Sequence, residues 1–236
     1  MAAVTLLSAR GLARHFGGIR AVDGVDFDLP KGEIHALIGP NGAGKTTFVG
    51  LLCGRIRPDA GRILFEDRDI TRLPAHRRVA LGIAYTFQIT SIYPRLRVVE
   101  NVALAAQRAG SAGIEARALE ALGRVGLAGH AGEIAGTLSY GHQRLLEIAM
   151  GLALEPKLLI LDEPTQGLAE GEIDGFRRLV RELRGTTTVL LIEHNMELVM
   201  ELADRITVLN FGARLAEGTP AEIRADPAVQ TAYLGA

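Results

Sequence analysis

The spacing of apolar residues divides the chain into strand-rich and helix-rich stretches. From residue 4 to residue 36, short apolar runs alternate with polar residues, which is typical of strands. From about residue 95 to residue 155, apolar positions recur at helical spacing among Ala, Leu, Arg and Glu. Beyond them, strand-length and helical stretches alternate. The pattern predicts an α/β core of residues 1–88 and 156–236, with a helical lobe of about residues 89–155 inserted into it.

Several segments have the length and composition of individual strands. The runs "LLIL" and "VLLI" in the second half are wholly apolar, which is typical of parallel strands covered by helices on both faces. The segments "GRILFEDRDI" and "RITVLNFGARLAEG" each predict a pair of strands, and "GIAYTFQ" predicts one more. No run approaches the roughly 18 consecutive apolar residues of a membrane-spanning helix.

One predicted helix begins in an unusual way, at the segment "GTLSYGHQRLLEIAM". Ser139 is a favourable N-cap, and Gly141 leaves the first turn without a side chain. A stripe of four apolar residues at i, i+3, i+4 and i+7 predicts the buried face: Leu145, Ile148, Ala149 and Leu152. Such a helix start is either a simple cap or an anion site. Taken alone, the segment favours the simple cap.

A glycine-rich segment between a predicted strand and a predicted helix carries the strongest chemical signal. Residues 39–46, "GPNGAGKT", match G-x-x-x-x-G-K-[ST] in the context that this motif requires. Gly42 and Gly44 let the backbone N–H groups face phosphate oxygens. Lys45 is expected to reach the β- and γ-phosphates, and the Thr46 hydroxyl to bind Mg²⁺. The segment therefore predicts a nucleoside triphosphate site. Its expected residues are Gly39, Pro40, Asn41, Gly42, Ala43, Gly44, Lys45, Thr46 and Thr47.

Polar side chains follow three other predicted strands, where ligands bind in open α/β sheets. Asp162 and Glu163 end the strand "LLILDEP". We expect Asp162 to bind Mg²⁺ and Glu163 to face the water that attacks the γ-phosphate. His194 ends "VLLIEH" and is expected to reach the γ-phosphate. Gln88 ends "GIAYTFQ" and is expected to bind metal or water and to report the nucleotide state to the helical lobe.

Composition and charge narrow the classes of function. The chain has 26 Lys+Arg against 27 Asp+Glu, a net charge of −1 and no basic run, which argues against nucleic acid as its main partner. Cys53 lies in an apolar run, so a buried thiol is expected, compatible with a reduced intracellular setting. The N-terminus lacks a signal-peptide pattern. Arg77 and Arg78 are expected on a solvated helical face. Four histidines show no metal-ligand spacing, so Mg²⁺ is the only metal expected: His15, His35, His76 and His130.

The order of the motifs is similar to that of ABC-type ATPases over essentially the whole chain. The motifs are the P-loop, a Gln, "LSYG" with a following Gln, "LLILDEP", Gly-Leu and His. The resemblance implies a single ABC ATPase domain of residues 1–236, a P-loop NTPase core with an N-terminal antiparallel β subdomain and an inserted helical lobe. It also implies a head-to-tail dimer holding two ATP molecules. Residues implied to contact the partner's ATP are Ser139, Gly141 and Gln143.

The same resemblance assigns roles to individual residues. Phe16 matches the aromatic residue that stacks on adenine, and Gln88 matches the Q-loop. Glu163 matches the catalytic base and His194 the switch histidine. The segment from Gly167 onward matches the start of the D-loop.

Within this family, the chain is most similar to the ATP-binding subunit of branched-chain amino-acid importers, of the type usually called G. The similar stretches include "HFGGIRAVDGVDF", "YTFQITSIYPRLRVVENV" and "DPAVQTAYLG". The resemblance implies two membrane permeases, a substrate-binding protein acting through them, and a second ATPase, either a copy of this chain or a sister subunit. It implies a cytoplasmic, peripheral location on the inner face of the membrane. The departures from the family pattern are Tyr140, His142, Ala169 and a helical lobe that is short for the subfamily.

Two other functions compete with an importer subunit. One is a soluble ABC ATPase of cofactor assembly that has no permease. The other is a P-loop kinase, which would leave the "LSYG" helix and His194 without a role. The sequence does not identify the transported solute. Branched-chain amino acids are the default expectation, and urea, amides and other related small polar solutes are the alternatives.

Overall fold

The computed structural model describes residues 4–86, 91–110 and 112–234, which pack as two units. The first unit is formed by Met1–Leu81 together with Arg184–Ala236, and the second by Gly82–Leu183. The second unit contains the predicted helical lobe and also extends beyond residues 89–155 at both ends. The bounds predicted for the lobe itself stay a prediction.

An antiparallel sheet forms the N-terminal part of the first unit. Its strands follow the order β2-β1-β4-β5. The second half of β2 buries one face of the strand: Val25, Phe27 and Leu29 are buried, while Asp26 between them is exposed. The Phe27 ring then packs edge-on against Phe48 of the first helix, at 5.4 Å between centroids. The strands are β1 (Thr5–Phe16), β2 (Ile19–Pro30), β4 (Ala60–Phe65) and β5 (Arg68–Asp69).

A second sheet of the first unit has the order β10-β9-β3-β8, with β3 parallel to both neighbours. Every residue of β3 and β8 is buried, and for β8 its apolar run "VLLI" predicted this. The strands are β3 (Ile34–Ile38), β8 (Thr188–Ile192), β9 (Arg205–Asn210) and β10 (Ala213–Gly218). The helices are α1 (Lys45–Leu52), α2 (Ala75–Val79), α7 (Met196–Leu202), α8 (Pro220–Ala225) and α9 (Pro227–Leu234).

Within its described residues, the second unit combines two parallel strands with four α-helices. Strand β6 pairs in parallel with β7, and all five residues of β7 are buried. Helices α3, α4 and α5 pack on one another through small and aliphatic side chains such as Val102, Leu122 and Ile148, each 0% exposed. The elements are β6 (Ile83–Thr86), α3 (Val98–Ala106), α4 (Ile114–Arg124), α5 (Tyr140–Leu152), β7 (Leu158–Asp162) and α6 (Glu170–Leu183).

These elements confirm the order of strands and helices read from the pattern, including the hairpin of β9 and β10. Ser139 is the N-cap of α5, and the predicted apolar stripe of this helix is buried. Cys53 is buried, as expected, and is not part of a disulfide among the described residues. Among the described residues, no helix has the length and hydropathy that crossing a bilayer requires.

The prediction that Arg78 lies on a solvated face is wrong, because this side chain is only 1% exposed. Its guanidinium donates to the carbonyl oxygens of Leu51 and Leu52 at 2.7 and 2.8 Å, which satisfies the C-terminal end of α1. It also donates to the carbonyls of Leu73 and Thr71. Burial lowers the pKa of Arg78 to about 10. The arginine thus supplies a cation and donors where a helix end lacks them.

Candidate nucleotide site

The P-loop of the first unit follows β3 and leads directly into α1. Its backbone path is fixed by close neighbours at two glycines, both at positive φ. A Cβ at Gly39 would lie 2.2 Å from the carbonyl oxygen of Leu209, and one at Gly44 would lie 2.1 Å from that of Ala21. No side chain fits at either position, so the loop lies between the end of β9 and strand β2. The glycines predicted from the motif are therefore required by packing.

The open side of the loop fits an anion. Gly42 has φ 78°, and a Cβ there would meet no atom of the described residues within 4 Å. Among those residues, no side chain caps the N-terminus of α1, and its first turn contains no acidic residue. The N–H groups at the start of this helix and its dipole are thus available to an anionic ligand.

Lys45 is folded back over the loop. It is only 8% exposed, and its ammonium donates to the carbonyl oxygens of Gly39 at 2.6 Å and Pro40 at 3.1 Å. These neutral acceptors hold the cation at the phosphate-binding loop itself. An incoming phosphate would offer a charged acceptor, which makes a stronger hydrogen bond than a carbonyl.

Phe16 ends β1 and is 44% exposed, an aromatic surface available for stacking. The Arg14 guanidinium lies 4.7 Å from the Phe16 ring centroid and also pairs with Asp59 at 2.6 Å. Phe16 belongs to the hairpin of β1 and β2, whose Ala21 approaches Gly44 of the P-loop.

His194 follows β8 in the first unit and is exposed, while Glu193 before it is 5% exposed. The Glu193 carboxylate accepts from the His194 backbone N–H at 3.1 Å. Asn195 then caps α7 by accepting from the Leu198 N–H at 3.1 Å. The backbone around His194 is therefore held on both sides, while its ring faces outward.

In the second unit, Asp162 ends β7 and is 3% exposed. Its carboxylate accepts from the Tyr85 hydroxyl at 2.8 Å, and its carbonyl oxygen accepts from Arg144 of α5. Glu163, which follows, is partly exposed and has φ 49°, a strained conformation for a residue that is not glycine. Sequence reasoning missed Tyr85 and Arg144, because only the pairing of β6 with β7 and the packing of α5 bring them to Asp162.

The start of α5 is the second predicted phosphate contact. The Ser139 hydroxyl accepts from the His142 N–H at 3.1 Å, and the Gln143 amide donates to the Leu138 carbonyl at 3.0 Å. A Cβ at Gly141 would lie 2.7 Å from a carboxylate oxygen of Glu172. The glycine thus lets α6 approach the N-terminus of α5.

The three residues that depart from the signature and D-loop patterns, Tyr140, His142 and Ala169, take part in this packing. The ring of Tyr140 is 49% exposed and lies against Gly167, where a Cβ would meet it at 2.3 Å. Ala169 donates its N–H to Glu172 at 2.7 Å, and the other Glu172 oxygen pairs with the His142 ring at 3.1 Å. Glu172 therefore joins the D-loop segment to the first turn of α5.

The predicted site residues fall into two groups. The first unit contains the P-loop, Phe16 and His194, and the second contains Asp162, Glu163 and the start of α5. Gln88 lies outside the described residues.

Comparison with known proteins gives matches over the whole chain. The family model of the ABC transporter matches residues 22–166, and that of the branched-chain amino acid ATP-binding cassette transporter matches residues 213–236. The high-affinity branched-chain amino acid transport ATP-binding protein LivG of Escherichia coli K12 is 42% identical, over 98% of each chain. The corresponding protein BraF of Pseudomonas aeruginosa is 41% identical, again over 98% of each chain.

A solved structure has the same fold. The ADP conformation of MJ1267, an ATP-binding cassette of an ABC transporter, superposes with a TM-score of 0.88 at 30% identity, covering 99% of this chain and 100% of that one. The predicted fold class, a P-loop core with an antiparallel β subdomain and helical insertion, is confirmed by this likeness and by the two kinds of sheet. Together with the family model and the two relatives, it leads to one conclusion: the chain belongs to the ABC transporter family, as the order of its motifs predicted.

Proposed function

We propose that this chain is the ATP-binding and ATP-hydrolysing subunit of an importer for branched-chain amino acids. The observation that carries the proposal is the C-terminal segment, residues 213–236, which matches the branched-chain model in addition to the ABC core. This segment forms β10, α8 and α9. No observation favours a soluble assembly ATPase or a kinase, and neither is proposed.

ATP binding is assigned to the first unit. The P-loop backbone and the N-terminus of α1 hold the phosphates, and Lys45 exchanges its two carbonyl partners for phosphate oxygens. Phe16 stacks on the adenine. The packing that fixes Gly39 and Gly44 supports this role. Because the P-loop is already held in place, nucleotide binding does not have to offset the entropy cost of ordering it.

Thr46, Asp162 and Gln88 are proposed to hold Mg²⁺. A hydroxyl, a carboxylate and an amide are oxygen donors that suit this ion. Asp162 fits the task because it is 3% exposed and its carboxylate is oriented by the Tyr85 hydroxyl. When bound, Mg²⁺ neutralises charge on the phosphate oxygens.

Hydrolysis is assigned to Glu163 and His194. Glu163 accepts a proton from the water that attacks the γ-phosphate, and His194 contacts the γ-phosphate. The strained backbone of Glu163 supports a functional role, because such strain persists where the surrounding structure imposes it.

Each site is completed by a second ATPase subunit, which supplies Ser139, Gly141 and Gln143 to the phosphates. The second subunit is a copy of this chain or a sister ATPase. Closing and opening of the dimer drives two permease subunits, so the chain lies peripherally on the inner face of the membrane. A substrate-binding protein delivers the amino acid to the permease.

The test compares ATP turnover and ATP binding in the full chain and its variants. Glu163→Gln should retain ATP binding and lower turnover at least about a hundredfold, because it removes a general base. Glu170→Gln, at an exposed acid in the first turn of α6, is the matched control and should turn over normally. Undiminished turnover by Glu163→Gln would contradict its role, and absence of ATP binding by the unaltered chain would contradict the function.

A further inference from the structure

In the first unit, a groove of about 590 Å³ lies between α7 and the two helices of the C-terminal segment, α8 and α9. Its walls are apolar and come from all three helices. The apolar lining includes Met196 and Met200 of α7, Ile223 of α8, and Val229 and Tyr233 of α9. Its volume lies in the range of small-molecule sites, and methionine side chains adapt readily to the shape of an aliphatic group.

Two opposite charges border this apolar surface. Glu197 on α7 and Arg224 on α8 both line the groove and are exposed. Among the described residues, Arg224 forms no ion pair. A nearby amide, from Gln230, donates to the Arg224 carbonyl at 2.9 Å and so holds the end of α8 against α9. An apolar pocket with one carboxylate and one guanidinium at its edge is complementary to an amphipathic zwitterion.

We propose that this groove binds a free α-amino acid with an aliphatic side chain. The side chain packs between the methionines of α7 and Val229, the α-ammonium pairs with Glu197, and the α-carboxylate pairs with Arg224. The volume exceeds that of one such amino acid, so water hydrates the charged end. The assignment rests on the groove and is independent of the transport function.

Both walls of the groove are attached to residues of the candidate nucleotide site. Helix α7 begins two residues after His194 and is capped by Asn195. On the opposite wall, burial raises the pKa of Tyr233 to about 12, while the nearby backbone of Gly39 in the P-loop acts in the lowering direction. An amino acid that separates α7 from α9 displaces Tyr233, and Tyr233 in turn displaces the P-loop backbone at Gly39. Binding of the amino acid weakens binding of ATP, and by linkage ATP weakens amino-acid binding by the same factor.

The first experiment is calorimetric titration of the nucleotide-free full chain with L-leucine. We expect saturable binding of one molecule. L-Lysine, isoamylamine and 4-methylpentanoate should bind at least about tenfold more weakly, because each changes one of the three recognised groups. The absence of saturable leucine binding, or equal binding of lysine, would overturn the proposal.

Variants locate the site. Met200→Asp places a charge in the apolar wall, and should weaken leucine binding at least about tenfold. Arg224→Glu reverses the charge that faces the carboxylate and should weaken it about threefold or more. Arg68→Glu, at an exposed arginine of β5, is the matched control and should bind leucine like the unaltered chain. Circular dichroism checks that each variant is folded. Normal binding by the two groove variants would overturn the location.

Tyr233→Phe separates binding from coupling. It keeps the apolar ring and removes the hydroxyl, so leucine should still bind. The ratio of the ATP affinities measured with and without leucine should fall to about one. If this variant retains the full effect, the route through Tyr233 is wrong. Leucine binding by a chain without ATPase activity would contradict only the proposed function. Normal ATPase activity without leucine binding would contradict only the groove.

Discussion

Arg144 of α5 gives the sharpest test of how the second unit holds Asp162. This side chain is 1% exposed and pairs with the 5%-exposed Glu147 at 2.5 Å. The same guanidinium donates to the main-chain oxygen of Asp162. One buried cation therefore joins the helix that starts at Ser139 to the end of β7.

We expect Arg144→Met to be strongly destabilising. The substitution keeps much of the apolar stem but deprives a buried carboxylate of this cation, a change that typically costs about 3–5 kcal/mol of unfolding free energy. For a chain of this size, that loss corresponds to a fall in Tm of roughly 6–20 °C. In the double variant Arg144→Met with Glu147→Leu, the buried carboxylate is removed together with the cation, and roughly half of the loss should return. The remaining loss reflects the Asp162 carbonyl, which still lacks its donor.

Urea unfolding followed by circular dichroism measures both effects as a double-mutant cycle. The matched control is Arg97→Met, which breaks an exposed pair with Glu100 of the same i, i+3 spacing, at 2.9 Å. This control should unfold at nearly the same urea concentration as the unaltered chain, because an exposed ion pair contributes little to stability. A loss below about 1 kcal/mol for Arg144→Met, or a double variant less stable than the single one, would refute the reasoning.

Three further predictions concern the first unit. Gly39→Ala should lower the free energy of unfolding by about 1–3 kcal/mol and weaken ATP binding, since its Cβ would overlap the Leu209 carbonyl. Thermal unfolding measures the loss of stability. The control Gly18→Ala should show no loss, because a Cβ at Gly18 would meet nothing within 4 Å. Arg78→Met should cost about 1–3 kcal/mol or more in urea unfolding, because it removes the guanidinium that donates to buried carbonyls at the end of α1. An unchanged midpoint would contradict that account. Glu222→Gln should make the free energy of unfolding fall less steeply as the pH is lowered. The Thr219 backbone N–H lowers the pKa of Glu222 below its ordinary 4.5, so the stabilisation is present above that value and is lost as the pH falls through the lower folded-state pKa. An acid limb as steep as that of the unaltered chain would argue against this contribution.

The sequence predicted those parts of the fold that depend on local periodicity. Apolar runs identified β7 and β8, and the cap at Ser139 identified the start of α5. The P-loop was predictable because its glycines and Lys45 have fixed spacing within one turn between a strand and a helix.

Contacts between residues far apart in the chain were not predictable. The Tyr85 hydroxyl reaches Asp162 only because β6 and β7 pair in parallel, and neither residue's neighbours reveal that register. Arg78 carries no mark of burial, since its partners are backbone carbonyls of another helix. Likewise, the approach of Glu172 to Gly141 depends on how α6 packs on α5. The roles assigned to Gln88, Glu163 and His194 stay predictions.

The central claim is that this chain powers a membrane importer, and the most direct measurement is its set of partners in the native cell. The tagged full chain would be recovered from gently solubilised membranes, and the co-purifying proteins identified by mass spectrometry. We predict two polytopic permeases, together with ATP hydrolysis that depends on Glu163 in the recovered complex. Recovery of soluble partners alone would contradict the importer function. ATP hydrolysis by this chain would then serve a process other than membrane transport.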